Sequence, residues 1–372
     1  GRVAAVSGVK DGQFGFANFL LRLRADESRY NAQFLLYVLS SPQVRERILS
    51  MVAGSTYPNL RVPEYRRMLI PDPPLSEQQR IVGVLDEAFA GLATAQANAA
   101  QNLQNARALF ESILDAAING RITECWRESH RDVERGARLL LRILSKRRAQ
   151  QKSGNGYTEP SPPDTGSSPD LPEGWTYATI EQLLRDDGGL SYGILKPGEP
   201  DPDGVPMVRV MDIGHGRMND TEIFKVTRKL SDEFRRTILE QDDIMLAVMA
   251  TVGRCAIVPT HLVGANVNRA LAVLKLTKDV SSKFILFALL SPRIQALFQK
   301  NKVGAAQPRI NLTELRRYAI PLPPIAEQHQ IVAKLDALAA ETQRLTRLYE
   351  QKQAALAALK KSLLHQAFTG EL

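Results

Sequence analysis

One acidic residue in the sequence stands in a setting typical of catalysis. Asp72 lies in the stretch Ile-Pro-Asp-Pro-Pro at residues 70–74, which a large apolar residue follows. Asp-Pro-Pro before such a residue is typical of the catalytic loop of an amino-methyltransferase, but that enzyme also needs a glycine-rich cofactor turn, and the sequence contains no convincing one. The stretch recurs at residues 320–324 as Ile-Pro-Leu-Pro-Pro, with Leu322 in place of Asp72. We therefore interpret Asp72 as part of a connection between two structural elements.

A second set of polar residues has the spacing needed to read DNA bases. Near residues 60 and 310, polar and apolar side chains alternate, so an extended strand would place the polar ones on one face. The polar residues on these faces are Tyr57, Asn59 and Arg61 in the first segment and Gln307, Arg309 and Asn311 in the second. Arg recognises guanine, and Asn or Gln recognises adenine, by paired hydrogen bonds in the major groove. Two similar segments with different polar residues would recognise two different short sequences.

Further polar residues extend this candidate surface. Asn266, Asn268 and Arg269 form a second cluster of base-reading side-chain types. Lys302 precedes the second segment, and we expect it to contact phosphate, which would raise the affinity for all DNA sequences alike. The sequence leaves open the alternative that each segment is an edge strand with one buried and one solvated face.

The composition favours an anionic partner. The 372 residues carry a formal net charge of +8 with a pI of about 9.5, which makes nucleic acid the first candidate, although an ordinary basic protein is the alternative. The two cysteines are far apart and the five histidines are scattered, so we expect neither a disulfide framework nor a metal site. No apolar run reaches the roughly 20 residues that a bilayer span needs. We expect a cytoplasmic protein with no membrane partner.

The sequence repeats itself without a gap at an offset of 250 residues, as from Ile70 to Ile320. The dipeptide Glu-Gln at residues 77–78 recurs at 327–328, and Gly120 matches Gly370. Such self-similarity indicates two copies of one structural unit.

Each repeat ends in a long predicted helix. Apolar or small residues recur at alternating steps of four and three over residues 81–113 and 331–363, which is the pattern of a coiled coil. The predicted seam includes Leu109 and, at equivalent positions of the two helices, the polar Asn102 and Lys352, which would fix the register. Each helix would have about 44 residues and a length of ~65 Å. We expect the two helices to pair antiparallel; pairing with another protein or with a second copy is the alternative.

The globular parts mix helical and strand-like patterns, which predicts an α+β fold. The sequence from Gly1 resembles that from Gly253, so the front of the first globular domain is expected to be missing. The predicted divisions are the rear of a first domain at 1–73, a long helix at 74–122, a basic helical connector and flexible linker at 123–170, a second domain at 171–323 and a second long helix at 324–372. The basic run of the connector could contact DNA phosphates or form a solvated face.

These features resemble the specificity subunits of Type I restriction–modification systems. The resemblance covers nearly the whole chain and is carried by Leu-Pro-Glu-Gly-Trp at 171–175, the two Ile-Pro-x-Pro-Pro stretches with their Glu-Gln pairs, and the helix ends at 120–123 and 369–372. It implies two target recognition domains, the first incomplete here, joined by two long antiparallel coiled-coil helices. Each domain would read one half of a bipartite DNA site, and the helix length would set the spacing.

The resemblance also implies partners and a division of labour. The chain would be a non-catalytic subunit that binds double-stranded DNA and docks modification subunits and ATP-driven restriction subunits. It would bind no cofactor itself; S-adenosylmethionine, ATP and Mg²⁺ would be bound by the partner subunits. Two alternatives of other classes are a fused DNA methyltransferase or nuclease, and a coiled-coil assembly protein with no role on DNA.

Overall fold

The structure is a computed structural model that describes residues 3–6, 20–53, 59–60 (backbone only), 62–150, 158–166, 168–185, 189–219, 221–304 and 307–372. The chain divides into two compact units. The first unit comprises Gly1–Ala106 with Gln343–Leu372, and the second unit comprises Arg107–Thr342.

The first unit is built largely from helices. Its elements in chain order are α1 (Ala32–Ser40), α2 (Pro42–Ser50), β1 (Val52–Ala53), β2 (Asn59–Leu60), α3 (Val62–Arg66) and α4 (Leu75–Ile118), of which residues 107–118 belong to the second unit. Asn31 begins α1, where its side-chain oxygen accepts hydrogen bonds from the backbone N–H groups of Gln33 and Phe34. Pro42 occupies the first turn of α2, where its missing N–H costs nothing.

The second unit combines helices with several small sheets. Its helices are α5 (Glu124–Ser129), α6 (Gly136–Gln150), α7 (Ile180–Leu183), α8 (Arg228–Glu233), α9 (Ser282–Leu290), α10 (Pro292–Asn301), α11 (Leu312–Arg316) and α12 (Ile325–Thr369), of which residues 343–369 belong to the first unit. Its strands are β3 (Thr176–Thr179), β4 (Leu190–Tyr192), β5 (Val205–Val208), β6 (Phe224–Val226), β7 (Ile244–Ala247), β8 (Cys255–Ile257), β9 (Asn266–Val267), β10 (Leu271–Leu274) and β11 (Ala319–Leu322).

The largest sheet is antiparallel and lies in the core of the second unit. Its strand order is β4-β10-β7-β8, and every residue of β7 and β10 is buried. Smaller sheets pair β11 with β3 and flank β5 with β6 and β9. Helix α9 is buried along its whole apolar surface, including Phe284, in the same core as strands β7 and β10. The predicted α+β fold, with two domains joined by long helices, is confirmed.

The long helices have 44 and 45 residues, close to the predicted length. In the first unit, Leu85 near the start of α4 shares a core with Leu364 near the end of α12. In the second unit, Leu114 near the end of α4 shares a core with Ile331 and Leu335 near the start of α12. Within each unit, therefore, the start of one helix packs on the end of the other, and the predicted antiparallel pairing is confirmed.

The predicted seam is wrong at Asn102 and Leu109 of α4 and at Lys352 of α12. Asn102, Lys352 and Leu109 are exposed, whereas the side chains of Leu103 and Phe110 are partly buried. Neither Asn102 nor Lys352 therefore fixes the register. On α4, the partly buried positions are taken by Leu103 and Phe110. Each lies one residue after the position that the steps of three and four predicted.

The basic connector packs on the second unit. The apolar side of α6, with Leu139 and Ile143, is buried. Lys146 donates to Asp279 at 2.7 Å, and Arg147 donates to the Glu181 carbonyl at 2.7 Å. These cations hold the connector in place, which favours a structural role over phosphate contact.

The described part of the predicted linker is also held by hydrogen bonds. The hydroxyl of Tyr177 donates to the Pro169 carbonyl at 2.8 Å, and the hydroxyl of Thr179 donates to the Ser161 carbonyl at 3.3 Å. These two hydrogen bonds attach Pro169 and Ser161 to β3, and the flexibility of the linker stays a prediction.

None of the described helices has both the length and the hydropathy of a membrane span.

Candidate nucleic-acid interface

The segment that contains Arg309 lies beside the end of β7. Val303 and Arg309 exchange both backbone hydrogen bonds, at 2.8 and 2.9 Å, as antiparallel neighbours. The Ile310 N–H donates to the Val248 carbonyl at 2.9 Å, and the Ile310 side chain is buried. Backbone pairing and one apolar side chain thus fix the segment on the domain.

The polar side chains of this segment point outward. Gln307, Arg309 and Asn311 are exposed, whereas Ile310 between the last two is buried, so the predicted alternation is confirmed. Asn311 precedes α11, but its side chain makes no capping hydrogen bond there. Among the described residues, none pairs with the Arg309 guanidinium. All three side chains are of types that can form paired hydrogen bonds with base edges, and they are exposed on one side of the segment.

Lys302 lies next to this face. Its side chain is exposed, and its ammonium donates to the amide oxygen of Gln299 at 2.6 Å. Among the residues that the structure describes, no carboxylate pairs with this ammonium, and the hydrogen bond to a neutral amide does not balance its charge.

The assignment of Asn266 to this interface is wrong. Its side chain is fully buried in β9, where its oxygen accepts from the Thr237 hydroxyl at 2.7 Å and its nitrogen donates to the Ser231 carbonyl at 3.2 Å. A buried amide must satisfy its hydrogen bonds inside the domain, and Asn266 does so. It holds β9 to the residues around α8.

Asn268 and Arg269 occupy a turn closer to the surface. Asn268 is half-buried, and its side-chain oxygen accepts from the Ala270 N–H at 3.2 Å. Arg269 is exposed, while its backbone N–H donates to Ile194 at 2.8 Å. Of the predicted cluster, Arg269 therefore has the most exposed side chain.

The structure brings Arg269 and Arg309 to one end of the main sheet. The carbonyl of Ala270 accepts from the Val248 N–H at 2.9 Å, and Val248 in turn pairs with the segment of Arg309. The backbones of the two arginine segments are therefore two interstrand spacings apart, which is roughly 10 Å. Two cations at this distance can contact successive groups of one DNA duplex.

A strained turn that no sequence pattern predicted lies beside this face. Ala250 has a left-handed backbone, with a φ of +60°, and its N–H donates to the Pro308 carbonyl at 2.9 Å. A non-glycine residue in this region is costly and is retained where the surroundings enforce it. The turn fixes the position of the backbone from which the Arg309 side chain projects.

The same strand pairing occurs in the first unit. Ala53 pairs with Asn59 across β1 and β2, and at the offset of 250 these residues correspond to Val303 and Arg309. Asn59 thus occupies the backbone position of Arg309. Its neighbours Tyr57 and Arg61 lie outside the described residues.

Among the described residues, no group of three or more His, Cys, Asp or Glu side chains is arranged to hold a metal ion. The exposed side chains of the candidate interface are amides and cations.

Comparison with known proteins gives a consistent result. The family model for the Type I restriction modification DNA specificity domain matches residues 195–354. The EcoBI specificity subunit of Escherichia coli is 26% identical over 94% of this chain and 68% of its own length. The EcoKI specificity subunit of Escherichia coli strain K12 is 24% identical over 91% of this chain and 65% of its own length. The chain thus spans about two thirds of the length of these relatives.

A solved structure shares the fold. A chain from a study of complex assembly and conformational transition of the type I R-M system superimposes with a TM-score of 0.68 and 20% identity, covering 94% of this chain and 74% of that one. The domain match and the two relatives that align along nearly all of this chain show that it is similar to Type I restriction–modification specificity subunits, and the solved structure shows that the fold is shared.

Proposed function

We propose that this chain recognises DNA within a Type I restriction–modification complex. The observation that carries the proposal is the strand pairing that presents Arg309 in the second unit and recurs at Asn59 in the first. One scaffold with two different polar residues would read two different half-sites of a bipartite sequence, with Arg309 on guanine and Asn59 on adenine.

The proposed mechanism separates affinity from specificity. Lys302 and the overall charge of +8 supply sequence-independent attraction to phosphates, which weakens as the salt concentration rises. Arg309, Gln307 and Asn311 supply the sequence-dependent part through contacts with base edges. Arg269, at the same end of the sheet, extends the contact along the groove.

The long helices complete the proposal. At 1.5 Å per residue, each extends for about 65 Å, and this length would set the spacing of the two half-sites. Their outer surfaces would dock the modification subunits, which the restriction subunits then join. The chain would be non-catalytic, and S-adenosylmethionine, ATP and Mg²⁺ would be bound by those partners.

Assembly with the modification subunits tests this proposal. Methylated adenines are mapped on genomic DNA after incubation with the modification subunits, with and without the chain. We expect modification of one bipartite sequence only when the chain is present. Identical modification patterns with and without the chain would contradict a role in recognition.

Two further measurements separate the alternatives. The purified chain alone, incubated with labelled S-adenosylmethionine and DNA, is expected to transfer no methyl group; transfer without a partner would indicate a fused methyltransferase. The complex of chain and modification subunits is expected to be retained on DNA that contains the mapped site. Equal retention with the modification subunits alone would indicate an assembly protein with no DNA role.

A further inference from the structure

Val303 lies directly opposite Arg309 in the second unit. The two residues exchange both backbone hydrogen bonds, at 2.8 and 2.9 Å, as antiparallel neighbours. Residues paired in this way have Cα atoms roughly 5.5 Å apart, and their side chains lie on the same face. The side chain of Val303 therefore projects beside that of Arg309, on the face of the candidate interface.

A tight turn fixes this register. Gly304 follows Val303 and has a left-handed backbone, with a φ of +91°. A methyl group added at Gly304 would lie 2.8 Å from the Gln307 carbonyl oxygen, so a side chain there would force the turn to shift. A slip of one residue would move Val303 to the opposite face, and the turn therefore determines which side chain stands beside Arg309.

Arg309 has a second apolar neighbour on its other side. Met249 pairs with Arg309 across an antiparallel bridge, so its side chain also lies on this face. Met249 is partly buried and packs against the core of the second unit. Val303 is 54% exposed, so most of its surface is not used in packing. Of the two apolar neighbours, Val303 is the one that a ligand on this face would contact.

An arginine beside an exposed aliphatic side chain has the chemistry to read two successive base pairs. In the major groove, guanine offers two acceptors to a guanidinium, whereas thymine carries a methyl group that apolar side chains contact. Successive nucleotides of one strand are about 3.4 Å apart along the helix axis. The long side chain of Arg309 can bend to span the difference between this rise and the roughly 5.5 Å that separates the two Cα atoms.

We propose that Val303 contacts the C5-methyl group of a thymine in the base pair next to the guanine that Arg309 reads. The inference rests on the proposed function and adds a second base pair to the half-site of the second unit. That half-site would contain a G·C pair next to an A·T pair. Burial of one methyl group against Val303 increases the affinity about fourfold.

Replacement of thymine by deoxyuridine tests the proposal, because it removes this methyl group and leaves the base pairing unchanged. Duplexes carry the bipartite site found by adenine mapping, with each thymine replaced in turn, and are bound by the complex of chain and modification subunits. The relaxed position in Arg309→Ala identifies the guanine. We expect replacement of the thymine beside that guanine to weaken binding by the wild-type complex about fourfold.

Variants at Val303 show whether this side chain makes the contact. Val303→Ala should bind the thymine duplex about fourfold more weakly and should no longer distinguish thymine from deoxyuridine, because both changes remove one contact. Val303→Ile keeps a branched apolar side chain and should keep the distinction. Its midpoint of urea denaturation and that of Val303→Ala should equal the wild-type value, since Val303 is largely exposed.

The matched control is a second exposed valine of the same unit. Val263 precedes β9 and is 46% exposed. Val263→Ala should bind the thymine duplex as tightly as the wild type and should distinguish it from the deoxyuridine duplex to the same extent.

Three results would overturn the proposal. These are a half-site with no A·T pair beside the pair that Arg309 reads, equal binding of the thymine and deoxyuridine duplexes by the wild-type complex, and an undiminished distinction between them in Val303→Ala. All three leave the proposed DNA recognition intact, because adenine mapping still shows a bipartite site that depends on the chain. The proposed function fails by a different result, an identical modification pattern with and without the chain.

Discussion

The side-chain amides of Gln78 and Gln328 make the same hydrogen bonds in the two units. Each amide oxygen accepts from the backbone N–H of the residue 47 positions earlier, and each amide nitrogen donates to the carbonyl of the proline five positions earlier, all at 2.9 Å. The N–H donors are Asn31 and Ser281, and the carbonyl acceptors are Pro73 and Pro323. Both glutamines are fully buried. The repeat is therefore preserved at the level of single atoms where each long helix begins.

Replacing either glutamine should destabilise its own unit. Gln328→Leu leaves the Ser281 N–H and the Pro323 carbonyl buried without a partner, so we expect a loss of about 2–4 kcal/mol. Gln78→Leu should have the same effect in the first unit. Hydrogen exchange followed by mass spectrometry measures each unit separately, which matters because two units need not unfold together.

The matched controls for these variants are exposed glutamines close by on the same helices. Gln79→Leu and Gln330→Leu should change local stability by less than about 0.5 kcal/mol. Equal exchange protection in Gln328→Leu and Gln330→Leu would show that the shared hydrogen bonds contribute nothing.

Glu327 is the acceptor at the centre of a buried cluster. Its carboxylate accepts from the Thr123 hydroxyl and the Arg127 guanidinium at 2.7 Å, and from the Trp175 indole at 2.8 Å. Glu327→Gln leaves the Arg127 charge unbalanced and points amide hydrogens at existing donors. We expect the second unit to lose about 3 kcal/mol in free energy of unfolding, measured by urea denaturation. The equivalent Glu77→Gln should have little effect, and a similar loss in both variants would contradict this account.

Adjacent residues on α4 test the corrected seam. Phe110 is partly buried against the core of the second unit, whereas Leu109 is 56% exposed. Phe110→Ala should cost about 2 kcal/mol, less than a fully buried Phe because part of its ring already meets solvent. Leu109→Ala should cost less than about 0.5 kcal/mol. A larger loss of stability for Leu109→Ala would restore the seam first predicted from the sequence.

Tyr318 should make the second unit sensitive to high pH. Burial raises the pKa of Tyr318 to about 12, while its hydroxyl donates to Leu297 and accepts from Asn301 at 3.1 Å. Because the folded pKa lies above the ordinary value of 10.0, this contribution to stability is fully present below pH 10 and is lost as the pH rises towards 12. The loss should reach at most about 1.4 kcal/mol per pH unit.

Comparison with Tyr318→Phe isolates this effect. The variant should be less stable at neutral pH, by about 1 kcal/mol, because Asn301 and Leu297 lose a hydrogen-bond partner. Between pH 10 and 12 its stability should fall less steeply than that of the wild type. If the free energy of unfolding fell equally steeply with pH in the two proteins, Tyr318 would have the same pKa in the folded and unfolded states.

Periodic features were predictable from the sequence. The helix lengths, the antiparallel pairing and the exposure of Gln307, Arg309 and Asn311 follow from side-chain periods of about 3.6 and 2. The seam was displaced by one residue at Asn102 and Leu109 because Leu103 and Phe110 also satisfy alternating steps of three and four. At these two positions the helix buries the residue with the larger apolar side chain, which fills more space than its neighbour.

Features that depend on distant partners were not predictable. Asn266 has the residue type of a base reader, but its partners Thr237 and Ser231 lie 29 and 35 residues away. The left-handed backbone of Ala250 depends on a hydrogen bond to Pro308. No local pattern indicates either arrangement, because both arise only when the strands have assembled.

The recognition of one half-site by Arg309 is the central claim, and one measurement tests it most directly. The modification complex is assembled with wild-type chain, Arg309→Ala or Lys302→Ala, and the sequence preference around methylated adenines is compared. We expect Arg309→Ala to relax the preference at one position of one half-site by about 1–3 kcal/mol, or roughly 10- to 100-fold. Lys302→Ala should weaken modification of all sites alike and leave the preference unchanged. An unaltered sequence preference in Arg309→Ala would contradict the account.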